Sequence, residues 1–505
     1  MIKDLNEMRN SFLELVKRIK YYNDALSVLY WDLRTGAPRK GVPQRAEVIG
    51  MLSAEAFKLS TSTEMEEYLA YFDEPGNKVR LDHIMKAVVK ECRKEFDKYK
   101  KIPADKYKEY VILTSEAESV WEEAKNSSDF ELFRPYLEKI VDFNMEFIEL
   151  WGYKDNKYNT LLDFYEPGMT VDKLDLIFDE LRSKIVPLVA RIKESPNQPE
   201  EELLKQYFDM AKQEEFSLYI LEMMGYDFEA GRLDESEHPF TIGIGPGDVR
   251  ITTHYYSNDC ISALMSALHE GGHALYEQNI SDELNGTPLY TGTSSGIHES
   301  QSRFWENIIG RSRSFWERYY EELQNVFPDQ LKDVALEKFY RAINKVEPSL
   351  IRVEADEVTY NLHVMIRYEI EKALMNKEIK VSDLPRVWNE KMQEYLGIMP
   401  PNNAQGVLQD VHWAGGSFGY FPSYALGNIY SAQLYNTARK EIKDFDALVE
   451  SGELIKIKEW LSEKIHKYGK LLEPSEILKE VTGEEINPKY LIDYLENKYK
   501  EIYKL

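Results

Sequence analysis

Apolar residues recur every three or four positions along most of this chain, a spacing that commits it to helices packed on one another. Leu5, Met8, Phe12, Leu15, Val16 and Ile19 trace one such face, and Leu174, Ile177, Phe178, Leu181 and Ile185 trace another. Thr170 stands where it would cap the second of these helices, and Ser382 where it would cap a later one. A strand needs alternation instead, and only residues 238–257, HPFTIGIGPGDVRITTHYYS, offer it, in the short run Val249 to Thr253. That segment is expected to form a small hairpin or edge sheet, so the fold class is mainly α.

Neither a fixed-period repeat nor a low-complexity linker divides the sequence, and the Pro and Gly clusters at 36–43, 165–168 and 397–406 read as loops inside one folded unit. With 505 residues, 43% of them hydrophobic, the expectation is a single large domain over residues 1–505, cleft at most into two lobes. Two cysteines, Cys92 and Cys260, are too few for a disulfide framework or a thiolate zinc site. A net charge of -25 repels phosphate backbones and anionic lipid, which removes nucleic acid and membrane from the expected partners. No run approaches the roughly 20 apolar residues of a membrane helix, and the first residues are charged where a signal peptide is apolar, so the expected location is the cytoplasm.

Seven of the nine histidines lie between residues 238 and 412, which is where chemistry is expected. Residues 257–280, SNDCISALMSALHEGGHALYEQNI, form a helix by spacing, with Ser257 or Asn258 available as N-cap. His269 and His273 are one turn apart on it, close enough to converge on one ion, and Glu270 lies beside them. Such a carboxylate can take the proton of an attacking water that a metal has acidified. The pattern arises by chance on the order of once or twice in a hundred chains of this composition, and then marks only a polar helix face. Gly271 and Gly272 weigh against that reading, because each costs roughly 1 kcal/mol in a helix interior relative to alanine. They imply a close approach to the backbone, by a peptide substrate or by a crossing helix.

A catalytic zinc needs a third protein ligand. Glu299, in SSGIHESQSRFWENIIG, is the candidate: Ser294 or Ser295 would cap a helix carrying Glu299, Arg303 and Glu306 along one face. The alternative for His298 and Glu299 is a solvated helix end, and His298 is the poorer ligand because neighbours on a helix cannot both aim inward.

Several separated motifs, in order, resemble the carboxypeptidase Taq family of metallocarboxypeptidases: HPF at 238–240, DVRIT at 248–252, HEGGH at 269–273, HESQ at 298–301, IRVEAD at 351–356 and GVLQDVHW at 406–413. WDLRTGAPRKGVPQR at 31–45 and LLDFYEPGMT at 161–170 extend the likeness over nearly the whole chain. The resemblance implies removal of single residues from the carboxyl end of peptides, with broad side-chain tolerance and poor action beside proline. It also implies a helical fold with a deep groove similar to neurolysin and the angiotensin-converting enzymes, and a homodimer. By the same mapping His269, His273 and Glu299 hold one Zn2+ per chain, which Co2+ or another divalent ion could replace, and Glu270 is general base and acid.

An exopeptidase of this kind must recognise a terminal carboxylate, which an Arg fork does with two parallel hydrogen bonds. Arg352 is the leading candidate, against an ion pair with Glu354, Asp356 or another groove carboxylate; Arg250 and Arg367 stand in reserve. His412 and Tyr424 are candidate donors to the oxyanion, on glycine-containing segments that suit a loop closing over substrate. The alternatives are a core histidine bonded to Asp410 and ordinary packing of one tyrosine among 34. His238 either contacts the peptide or simply ends its loop.

Overall fold

The computed structural model describes residues 5–505 as a helical protein with one three-stranded sheet among those residues. Long helices, Leu5–Thr35, Val42–Ser60, His83–Lys100, Ala104–Ser127, Phe130–Trp151 and Val171–Glu194, occupy the amino-terminal part. The two apolar faces traced in the sequence point inward: Met8, Phe12, Leu15 and Val16 are buried, as are Leu174, Ile177, Phe178, Leu181 and Ile185. Thr170 caps its helix by accepting from the Lys173 amide. Ser382 does not act as a cap: it lies inside the turn Val381–Asp383, and Asp383 precedes the helix Leu384–Leu396 instead. The buried side chains form one contiguous apolar cluster running from Met8 to Tyr503.

At the centre lies the helix Pro422–Glu441, buried on most of its circumference. Gly427 allows it to meet the helix Ser295–Arg303, since a Cβ there would fall 2.4 Å from the Glu299 Cγ. The sheet consists of β1 (Leu233–Glu235), β2 (Thr241–Gly245) and β3 (Asp248–Thr253), in the order β1-β3-β2. β2 and β3 form the expected antiparallel hairpin, with Thr241 opposite Ile251 and Gly243 opposite Val249. The parallel strand β1 was not expected, because three residues carry no readable alternation. Thr253 Oγ1 donates to the Ala263 carbonyl and Thr241 Oγ1 to that of Glu270, so the sheet lies along one flank of the helix Cys260–Gln278. Among the described residues, no helix is long and apolar enough to cross a membrane.

Candidate active site

The helix Cys260–Gln278 begins at Asp259, whose carboxylate accepts from the Ile261 and Ser262 amides at 2.9 and 3.0 Å. Ser257 and Asn258, the expected caps, therefore lie outside it; a carboxylate at the positive end of the helix outcompetes both. Its partner Ser295–Arg303 is capped by Ser294, as one of the two expected serines. This second helix runs on into a π-helical turn over Phe304–Ile309 that carries Glu306.

Gly271 and Gly272 hold these elements together. A Cβ on Gly271 would stand 2.7 Å from Leu221 Cδ2 in the helix Met210–Met224, and one on Gly272 would stand 2.6 Å from the Gln301 carbonyl oxygen. The close approach inferred from the sequence is thus by crossing helices and not by a peptide.

The crossing brings His269, His273 and Glu299 together, with one candidate ligand atom from each lying within 4.8 Å of the others. Glu299 Oε2 is 3.7 Å from His269 Nε2 and 3.5 Å from His273 Nε2. Two imidazole nitrogens and a carboxylate oxygen form the donor set of a catalytic zinc, and their other atoms are already engaged. His269 Nδ1 meets Glu306 Oε2 at 2.9 Å, which leaves Nε2 as the free donor atom. His273 Nδ1 meets His298 Nδ1 at 2.6 Å, and His298 Nε2 in turn meets Glu277 Oε1 at 2.9 Å. Arg303 Nε donates to Glu299 Oε1 at 2.6 Å, keeping Oε2 turned toward the histidines. The group therefore fits a divalent cation.

Electrostatics agree with that fit. Burial opposes ionisation of Glu299, yet Arg303 and the two histidines hold its carboxyl well below the usual range. Glu306 is held down to about 2, Arg303 again outweighing burial. Burial pushes His273 down to about 4, keeping it neutral. Glu270 is also buried, which raises its pKa. Its Oε2 accepts from Thr241 Oγ1 at 2.6 Å, while Oε1 has no hydrogen-bond partner among the described residues.

These groups lie on the floor of a cavity of about 1880 Å³. Arg352, 5% exposed, reaches its wall with the fork turned onto Asp410: Nε and Nη2 lie 3.1 and 2.8 Å from Oδ1, and Nη1 donates to Tyr360 Oη at 3.0 Å. Its carboxylate partner is thus Asp410 rather than Glu354 or Asp356. Arg367 is fully buried and binds the other oxygen of Asp410, Nε to Oδ2 at 2.7 Å, so two guanidinium groups share one carboxylate. Arg250 is not among the lining residues; it pairs through both nitrogens with Asp248 and lies 4.6 Å above the Trp31 ring.

His412 and Tyr424 both line the cavity, with His412 Nε2 3.4 Å from Tyr424 Oη. Asp410 does not bond to His412, because the two arginines have taken it. Burial pushes His412 down to about 4 and raises the Tyr424 phenol well above its ordinary value, so both are neutral donors. The glycines nearby serve packing: Gly416 and Gly419 take φ of +74° and +91°, and a Cβ on Gly419 would lie 2.7 Å from the Leu161 carbonyl carbon. Trp121 Nε1 and Lys125 Nζ bind the carbonyls of Leu408 and Gln409, and the buried Glu371 carboxylate accepts from Trp413 Nε1 and the Gly419 amide. These bonds anchor the segment to the helices around it. His238 is exposed and lines the mouth of the cavity.

Sequence reasoning missed several members of this constellation. Glu277 was within reach, since it continues the one-turn spacing of His269 and His273. Thr241, Tyr360, Tyr420 and Glu371 gave no local signal, because what makes them part of the site is contact with distant segments.

The protein family described as Carboxypeptidase Taq (M32) metallopeptidase matches residues 11–499. The chain is 51% identical over 502 residues to Carboxypeptidase 1 of Bacillus subtilis (strain 168), covering 99% of this chain and 100% of that protein. It is 41% identical to Thermostable carboxypeptidase 1 of Thermus thermophilus, covering 98% of both. The crystal structure of the M32 carboxypeptidase from Deinococcus radiodurans R1 superposes with a TM-score of 0.96 at 34% identity, covering 99% of this chain and 100% of that one.

Proposed function

The chain belongs to the carboxypeptidase Taq (M32) metallopeptidase family, and from that premise we propose that it removes single residues from the carboxyl end of peptides, with broad side-chain tolerance and one zinc ion per chain. The reading is carried by the convergence of His269 Nε2, His273 Nε2 and Glu299 Oε2 beside the unpartnered Oε1 of Glu270, on the floor of a large cavity. His269, His273 and Glu299 would hold a divalent ion, which when bound would supply Lewis-acid chemistry toward a carbonyl and a water.

The protein does the rest. Glu270 Oε1 takes the proton of the attacking water and passes it to the departing amine, while Thr241 fixes the carboxylate through Oε2. His412 and Tyr424, neutral at pH 7, donate to the oxygen on which negative charge develops. Arg352 binds the terminal carboxylate: the buried Arg367 shares the single charge of Asp410 with it, so the three groups together carry one net positive charge. His238, at the mouth, contacts the peptide as it enters. The proposal includes one peptidase domain acting as a homodimer in the cytoplasm; two free cysteines suit a reducing compartment, and the dimer rests on the family resemblance.

Time-resolved mass analysis of a mixed peptide set, with free or amidated carboxyl ends, tests the reading. Stepwise loss of single residues is expected from free-ended peptides only, stopping with chelator and returning with Zn2+. Internal cleavage of amidated peptides would make the protein an endopeptidase.

A further inference from the structure

One lysine in the cavity wall has nothing to bind. Of the six lysines lining the cavity, Lys94 donates to the Asp163 carbonyl at 3.1 Å and Lys125 to that of Gln409 at 3.0 Å. Lys205 pairs with Glu201, Lys345 with Glu347 and Lys470 with Glu91, at 2.5 to 2.6 Å. Of these six, only Lys98 reaches neither a carboxylate nor a carbonyl of the described residues with its Nζ.

Its mount is rigid. Lys98 sits near the end of the helix His83–Lys100, where Trp151 Nε1 donates to its carbonyl at 2.7 Å. The ammonium lies 4.5 Å over the Phe164 ring, which is itself set edge-on against Trp151 at 4.8 Å. Contact with a ring face holds the ammonium in place but satisfies none of its three N–H donors. Burial lowers the pKa of Lys98, with Lys94 and Lys470 lowering it further against the opposing pull of Glu95. In a protein of net charge -25, a partly buried cation kept free of the many available carboxylates is an arrangement that an anion would relieve.

Its place in the cavity identifies the anion. Phe164 leads directly to Tyr165, whose carbonyl accepts from the Ser295 amide at 3.0 Å and whose ring meets Tyr420 at 5.1 Å; Tyr420 in turn packs on Tyr424. Lys98 therefore lines the same cavity as the reacting centre and is linked to Tyr424 through Phe164, Tyr165 and Tyr420 rather than by direct contact. Taking Arg352 as the group that binds the terminal carboxylate, we propose that Lys98 forms a subsite for an acidic side chain, Asp or Glu, of the bound peptide, away from the bond that is cut. This deepens the peptidase reading and rests on it.

The test is kcat/KM for matched peptides that carry Glu or Gln at each position in turn. The metal-loaded full-length protein is expected to favour Glu over Gln by about tenfold at one position, as suits one charge-assisted contact. Lys98→Met, which keeps the stem over Phe164, should bring that ratio near one, and Lys98→Arg should retain it. A ratio near one in the wild type overturns the subsite. So does a Lys98→Met variant that slows Glu and Gln peptides alike, because Lys98 would then serve the terminal carboxylate or the fold. Release of no residue from any peptide would instead defeat the peptidase reading, so the two failures are distinguishable.

Discussion

The floor and the wall of the cavity are built in opposite ways. On the floor, His269, Glu270 and His273 lie within five consecutive residues, and Glu299 and Glu306 come from one continuous second helix. Each candidate ligand has one atom tied to the protein and the other turned toward the shared point, where Glu299 Oε2 also accepts from Ser302 Oγ at 3.2 Å. On the wall, Arg352, Asp410, His412 and Tyr424 come from separate segments of the chain, and Arg352 arrives already bound to Asp410, which the buried Arg367 holds from behind the wall. Helical periodicity can aim several side chains at one point, whereas a recognition surface that follows a substrate needs contributions from distant chain. The floor is prepared to hold an ion, and the wall keeps its charge in place by internal pairing until a substrate competes for it.

The sharpest way to break this contrast is Glu270→Gln. It removes a proton acceptor and no ligand, so kcat should fall by roughly 10²–10⁴-fold with metal content unchanged, read by rate and metal analysis on the same sample. Full activity in that variant would remove the floor's chemistry altogether. On the wall, Arg352→Met should lower kcat/KM for free-ended peptides by about a hundredfold, the scale of a charge-assisted fork, while Arg367 keeps Asp410 paired. Wild-type kinetics would show that the wall recognises its substrate elsewhere. The smallest effect is expected at Glu306→Gln: the side chain still accepts from His269 Nδ1 but loses its charge, and metal affinity should weaken by about tenfold. Competition with a chelator measures this, and unchanged affinity would mean that the outer carboxylate does not tune the floor.

Much of the floor was legible in the chain itself. The one-turn spacing of His269 and His273, the apolar faces and the cap at Ser294 each follow from a local rule that the folded protein obeys. The hairpin of β2 and β3 was legible for the same reason. The wall was less so. Asp410 is three residues after Val407 and two before His412, and sequence proximity suggested a bond to His412; the fold instead places it between Arg352 and Arg367, two stronger partners from distant segments. The glycines at 271 and 272 announced a close approach without saying what approaches, and those at 416 and 419 gave no sign of the room and the left-handed turn that the packed chain needs there.

By itself, then, the sequence determined the helices and the chemical types of the groups on the floor, because both depend on period and residue identity within a few turns. Tertiary structure alone decided that Thr241 holds Glu270, that Asp410 serves two arginines, and that the Lys98 ammonium meets the Phe164 ring and no carboxylate or carbonyl of the described residues. Those outcomes depend on which charged groups come within about 3 Å once distant helices cross, and no local rule encodes that distance.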